Sequence, residues 1–302
     1  MVTTKVKGEW YEITIPEQWN QVSVDHLFRN IWKASKKQIH FMRMEKHVLM
    51  NGEIAQWEKP LQTGDLLMMK VFGEEASEVL PEYMPIEVLF EDEHFIIFNK
   101  PAGRDTHPNE PGQKNTLANA AAFHVLSQGV QRNVRHIHRL DQDTSGCILF
   151  AKHSLAGVIA DKLLEERKIK RTYSALVHGH LKKLSGTIHE PIGRDRHHPT
   201  RRRVSPKGQD AITHFSALQF FEKEKLTFIQ CQLDTGRTHQ IRVHLSHMKH
   251  PLAGDTLYGG KPIFSRQALH AARLTFTHPF TLEKVDVTCP PPKEFCAYMK
   301  DQ

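Results

Sequence analysis

Three short runs of this chain hold the residue types that polar catalysis uses. The first is His138-Arg139-Leu140-Asp141, followed by Asp143-Thr144-Ser145-Gly146 and then by the apolar run Cys147-Ile148-Leu149-Phe150. A carboxylate on a loop leading into a buried strand is a frequent place for a catalytic group. Taken alone, the segment reads first as an Asx turn capping the strand. Lys170-Arg171-Thr172-Tyr173 and Thr235-Gly236-Arg237-Thr238-His239-Gln240-Ile241-Arg242-Val243-His244 are just as dense in polar side chains.

Other chemistries find less support. The chain has 21 histidines, and His244, His247 and His250 fall at helical spacing with His239 nearby. No HExxH run or carboxylate-rich ligand set accompanies them, so no metal site is expected. Ser145, His138 and Asp141 lie too close together to presume triad geometry, and the Gly-x-Ser-x-Gly elbow is missing. Four scattered cysteines, Cys147, Cys231, Cys289 and Cys296, form no CxxC pair and read as reduced thiols.

The elements that must position these runs follow from apolar periodicity. Strands are predicted over 86–90, 94–100, 146–151, 172–177, 226–233 and 274–277, and helices over 116–128, 154–166 and 238–248. Strands outnumber helices without alternating regularly with them, which favours an α+β fold with a mixed, largely antiparallel sheet over a doubly wound one. Residues 1–75 read as a small unit of their own. Helical spacing recurs in Val24-Leu27-Phe28-Ile31 and Ile39-Met42-Met44-Val48, Asn51-Gly52 signals a tight turn, and 66–71 is strand-like. Between Glu74 and Glu93 lie eight acidic residues and no basic ones, with Pro81 and Pro85. That shift marks a linker over 76–85, with the main domain over 86–302.

Composition narrows the class of partner. At 39% hydrophobic and 25% charged, the 302 residues suit a soluble globular protein. No run of about 18 apolar residues could span a bilayer, and the N-terminus lacks a secretory apolar run, so a cytoplasmic location without membrane contact is expected. The net charge is +7, and the segment from Leu164 to Gly208 alone carries twelve Lys or Arg against four Asp or Glu. One patch therefore holds the basicity, including Arg194, Arg196, Arg201, Arg202, Arg203 and Lys207, as a phosphate-binding loop would.

In this order, the three runs resemble the RluA-type pseudouridine synthases. The likeness extends through Asn99-Lys100-Pro101-Ala102-Gly103, Thr106-His107-Pro108, Gly254-Asp255, Tyr258-Gly259, Leu269-His270-Ala271 and His278-Pro279, covering roughly residues 86–290. Residues 1–75 resemble, more distantly, the alpha-L type RNA-binding module, with Lys36, Lys37, Arg43 and Lys46 on its basic helix.

The resemblance implies isomerisation of uridine to pseudouridine in structured RNA, with Asp141 as nucleophile, Tyr173 packed on the flipped uracil and Arg242 paired with Asp141. Substrate contacts are further expected from His138, Arg139, Lys170, Arg171, Arg237, His239 and Gln240, and, from the basic run itself, which does not align with the family pattern, from Arg201, Arg202 and Arg203. No cofactor is expected, because the reaction exchanges one glycosidic bond for another without redox change. Ribosomal large-subunit RNA is the expected substrate and transfer RNA the alternative, acted on by a monomer. A non-catalytic RNA-binding or ribosome-assembly protein is the rival class. Since every motif lies beyond the acidic linker, the N-terminal unit is expected to be separable from the chemistry.

Overall fold

The computed structural model describes residues 2–73, 79–129 and 132–299. The N-terminal unit is a five-stranded antiparallel sheet of order β1-β2-β5-β3-β4, built from β1 (Thr4–Lys7), β2 (Trp10–Thr14), β3 (Val48–Met50), β4 (Glu53–Ile54) and β5 (Leu66–Lys70). Asn51 and Gly52, at φ 52° and 87°, turn β3 into β4 as the Asn-Gly signal predicts. The sheet carries α1 (Val24–His26), which runs into a π turn at Leu27–Ile31, and α2 (Lys36–Met44). Ser35 caps α2 by accepting the Gln38 N–H, while Ile39 and Met42 turn inward and Lys36, Lys37 and Lys46 stay exposed.

The main domain is one ten-stranded sheet. Its path runs from β11 (Ser185–His189) through β14 (Ile212–Phe221), β15 (Leu226–Leu233), β10 (Lys170–His178), β16 (Leu269–Thr277), β9 (Ser145–Ala151) and β7 (Phe95–Lys100) to β6 (Glu87–Glu91). β17 (Lys284–Thr288) pairs with β16, and β8 (Arg135–His136) with β9. A separate hairpin joins β12 (Ile192–Arg194) to β13 (Arg202–Val204). Every pairing is antiparallel except β16 with β9, where His270 faces Ser145 and Ala271 faces Gly146. Gly146, at φ 111°, is required there, since a Cβ would lie 2.3 Å from the Ala271 carbonyl oxygen.

Three helices cover the sheet, α3 (Leu117–Ser127), α4 (Ser154–Glu165) and α5 (Gln240–His247), and a short α6 (Cys296–Met299) follows. Thr116 and Asn119 form a reciprocal capping box on α3, and Asn119 also holds the carbonyl of Leu80 in the connecting segment. Of the predicted linker, residues 76–78 lie outside the described residues. The part that is described is packed, with Val79 and Ile86 against the apolar cluster under α3.

The N-terminal unit is not a detached appendage. Its core is continuous with that of the main domain, contrary to the expectation of a separable module. Tyr11 meets His94 edge-on at 4.3 Å, Trp32 meets Phe280 at 5.3 Å, and the Trp32 indole N–H donates to the Pro279 carbonyl at 3.0 Å. Apolar spacing marks which face of each unit is buried, but not that the two faces bury each other.

Candidate active site

The loop that leads into β9 carries Asp141, and two buried cations fix that loop. Lys100, with no exposed surface, donates its three ammonium hydrogens to the carbonyls of Pro101, Gln142 and Thr144 at 2.8–3.0 Å. Burial pulls its pKa down to about 8, opposed by Asp141, Asp143 and Asp105. Arg266 donates to the Asp143 carbonyl at 2.8 Å and to Ser145 Oγ at 3.1 Å. Thr106 completes the frame by bridging the N–H and carbonyl of Leu140. The loop backbone therefore has little freedom left.

Opposite, α5 projects Arg242. Its Nε and Nη2 hold Asp255 at 2.7 and 2.9 Å, and its Nη1 reaches Asp141 Oδ2 at 3.3 Å. Burial works against the guanidinium charge, but Asp255 and Asp141 outweigh it and raise the pKa above its ordinary value. The Tyr258 ring closes one side, 5.0 Å from the guanidinium carbon. Tyr258 Oη accepts the Arg202 backbone N–H at 2.8 Å and lies 2.9 Å from His239 Nδ1. Burial raises the Tyr258 pKa, so the hydroxyl keeps its proton beside the imidazole. The other ring nitrogen of His239, Nε2, lies 4.0 Å from Asp141 Oδ2.

These groups border a cavity of about 460 Å³, within the range of small-molecule sites. Tyr173, 4% exposed, forms one wall together with Leu140, Leu233, Ile241 and Leu269. Burial raises the Tyr173 pKa, with Arg171 opposing, so the ring is a neutral surface rather than a ready base. A partly apolar pocket with one carboxylate braced by a shared arginine suits attack on an electron-poor carbon.

The sequence carries matching family signatures. Residues 94–247 match the model described as RNA pseudouridylate synthase, and residues 11–67 match that of the RluD ribosomal pseudouridine synthase N-terminal domain. The chain belongs to the RluA/RluD-type RNA pseudouridine synthases. An uncharacterized RNA pseudouridine synthase of Bacillus subtilis is 47% identical over 289 residues, covering 95% of this chain and 96% of the relative. The ribosomal large subunit pseudouridine synthase D of Escherichia coli K12 is 34% identical, covering 86% and 84%. Among solved structures, human RNA pseudouridylate synthase domain containing 1 aligns with a TM-score of 0.58 at 25% identity, covering 69% of this chain and 84% of that one.

This cavity gathers most of the residues singled out in the sequence. Asp141, Arg139, Arg171, Tyr173, Arg237, His239 and Arg242 all line the cavity. His138 and Gln240 border it too, Gln240 with its polar atoms spent inside the protein and His138 with its buried Nδ1 left without a hydrogen-bond partner. Gln240 satisfies all its amide positions, donating to the Ile212 carbonyl and Thr213 Oγ1 and accepting from Thr235 Oγ1 and the Arg237 N–H. It braces the loop that holds His239 at a left-handed φ of 59°, a conformation costing on the order of 1 kcal/mol. His138 accepts the Leu149 N–H on Nε2 at 3.2 Å, and burial drives its pKa down to about 3.

The other expected contacts separate. Lys170 is exposed at the start of β10, away from the cavity lining, and Arg201 is tied to Asp195. Arg202 touches the site through its backbone, and Arg203 points to solvent on the opposite face of the hairpin. Among the described residues no cluster of three or more His, Cys, Asp or Glu is arranged to hold a metal ion. His244 is engaged by Thr213 and the Glu190 carbonyl, and His250 by the His178 carbonyl. No helix among the described residues is long and apolar enough to cross a membrane.

Asp255 and Tyr258 were missed as site residues. They appear in the sequence only as members of a glycine-punctuated turn, and only their place in the family pattern could have flagged them.

Proposed function

We propose that this synthase isomerises uridines of ribosomal large-subunit RNA with Asp141 as nucleophile, acting as a cytoplasmic monomer. The carrying observation is that Asp141 faces, inside one cavity, both the Arg242–Asp255 pair and the Tyr173 ring. The target nucleotide leaves its stack at a cost of a few kcal/mol, and stacking on Tyr173 returns about 1–3 kcal/mol. Asp141 attacks the sugar carbon as the N1–C1′ bond breaks. The base turns, C5 attacks C1′ as the Asp141–C1′ ester bond breaks and frees the carboxylate, the C5 proton leaves and N1 takes up a proton, so the exchange is redox-neutral and calls for no cofactor. The likeness to the ribosomal large subunit synthase of Escherichia coli supports the choice of RNA.

Tritium release from C5-tritiated uridine in a large-subunit ribosomal RNA transcript tests the activity. Mapping pseudouridines in cellular RNA with and without the gene tests the substrate. Sites lost from transfer RNA, with ribosomal RNA unchanged, would reject the ribosomal assignment.

A further inference from the structure

Beside the catalytic cavity lies a second one, of about 340 Å³, between the β12–β13 hairpin and the loop that follows it. Arg194 and Arg202 face each other across the hairpin, so both side chains lie on the same face, with Arg203 on the other. Lys207 and Arg237 also line the cavity, and no acidic residue does. The floor is fixed backbone. Ile192 and Gln209 exchange both hydrogen bonds at 2.9 Å, and Gly208 lies so close that a Cβ would stand 2.4 Å from the Ile192 carbonyl carbon.

Four cations converge here without compensation. Among the described residues none of the four forms an ion pair. The nearby acids are occupied elsewhere, Asp195 by Arg201 and the Asp210 carboxylate by His189. Arg237 spends Nε on the Asp210 carbonyl at 2.9 Å, and the buried Nε of Arg202 has no hydrogen-bond partner. A donor buried without a partner is costly, and a concave group of like charges asks for an anion.

We propose that this cavity is a phosphodiester subsite that seats the RNA backbone next to the flipped nucleotide. Arg237 and Thr238 border both cavities, so a strand held here runs directly to Asp141. The Arg202 backbone N–H on Tyr258 Oη ties the same hairpin to the catalytic network. The subsite rests on the reading of the protein as an RNA-modifying enzyme, and it adds which cations grip the strand and which do not.

The test is filter binding of a large-subunit ribosomal RNA transcript across a range of potassium chloride concentrations, with tritium release measured in parallel. Lys207→Gln and Arg194→Gln should each weaken binding about fivefold to tenfold near 0.1 M salt, and each should lower the slope of log affinity against log salt by about one. Both side chains are exposed, so the fold should tolerate the changes. Arg203→Gln, on the opposite face, should alter the slope by less than half as much. Unchanged slopes in the first two variants, or an equal loss in the third, would overturn the subsite. A wild type that binds with the full slope but releases no tritium rejects the activity and leaves the subsite standing. A wild type that turns over while Lys207→Gln and Arg194→Gln bind like it rejects the subsite alone.

Discussion

Arg242 donates twice to Asp255, at 2.7 and 2.9 Å, and once to Asp141, at 3.3 Å. The planar fork therefore grips Asp255 rather than Asp141, and Asp255 aims the remaining N–H at Asp141. Arg242→Lys keeps a charge but loses the fork. Single-turnover rate should fall about 100-fold from the lost alignment, with RNA affinity much less affected. Asp255→Asn strips a buried ion pair of one charge, which costs about 3–5 kcal/mol in stability, and should lower both melting temperature and rate. If Arg242→Lys instead weakens binding and flattens its salt dependence at an unchanged rate, Arg242 serves RNA phosphate.

Asp141→Asn keeps the shape and removes the nucleophilic charge. Pseudouridine formation should drop by about 10⁴-fold or more, while RNA binding and melting temperature stay near those of the wild type. Turnover close to wild type would sink the nucleophile assignment.

Tyr258→Phe deletes the hydroxyl hydrogen-bonded to His239 Nδ1 and leaves the Arg202 N–H without its acceptor. Burial already holds His239 below its ordinary pKa, with Asp141 opposing. The variant should lose about 1–3 kcal/mol of stability and shift the acid limb of the rate–pH profile. A profile superimposable on the wild type would separate His239 from the chemistry.

Stability should fall on acidification. Burial holds His138 and His153 neutral, with pKa values of about 3, whereas unfolded histidine titrates near 6.5. The unfolded chain therefore binds more protons below pH 6.5, and stability is lost as the pH falls. At pH 5 each of the two removes about 2 kcal/mol. Urea midpoints that stay level between pH 7 and 5 would contradict this.

Removing residues 1–73 should yield a poorly soluble, destabilised protein, because it strips the cover from Phe280 and His94, which are 0% and 2% exposed. Trp32→Ala is the milder probe and should cost about 3–5 kcal/mol. A monomeric, active fragment starting at 79 would show that the shared core is dispensable.

Much of the secondary structure was legible because burial is periodic. The helix predicted over 154–166 is Ser154–Glu165, and the strand predicted over 226–233 is Leu226–Leu233. β14 escaped notice because its buried residues, Thr213 and Phe215, alternate with partly exposed ones and include a hydroxyl. In the site, residue type pointed correctly to a carboxylate, an aromatic ring and an arginine in one cavity. It failed where a polar side chain works inward. Gln240 looks like a substrate ligand in a string of letters, and only the groups of β14 reveal what it satisfies. The partner of Arg242 was equally hidden, since the apposition of α5 and the 254–259 turn is a tertiary fact.

The contact between Asp141 and Arg242 spans 101 positions of chain. Its two halves meet only after β10, β16 and β9 have assembled, the last two by the parallel pairing at Ser145 and Gly146. Such distant closure is among the later and slower events in folding. A nascent or partly unfolded chain in which that contact is open carries Asp141 without its aligning cation, so the site that the proposed glycosidic chemistry uses exists only in the assembled sheet.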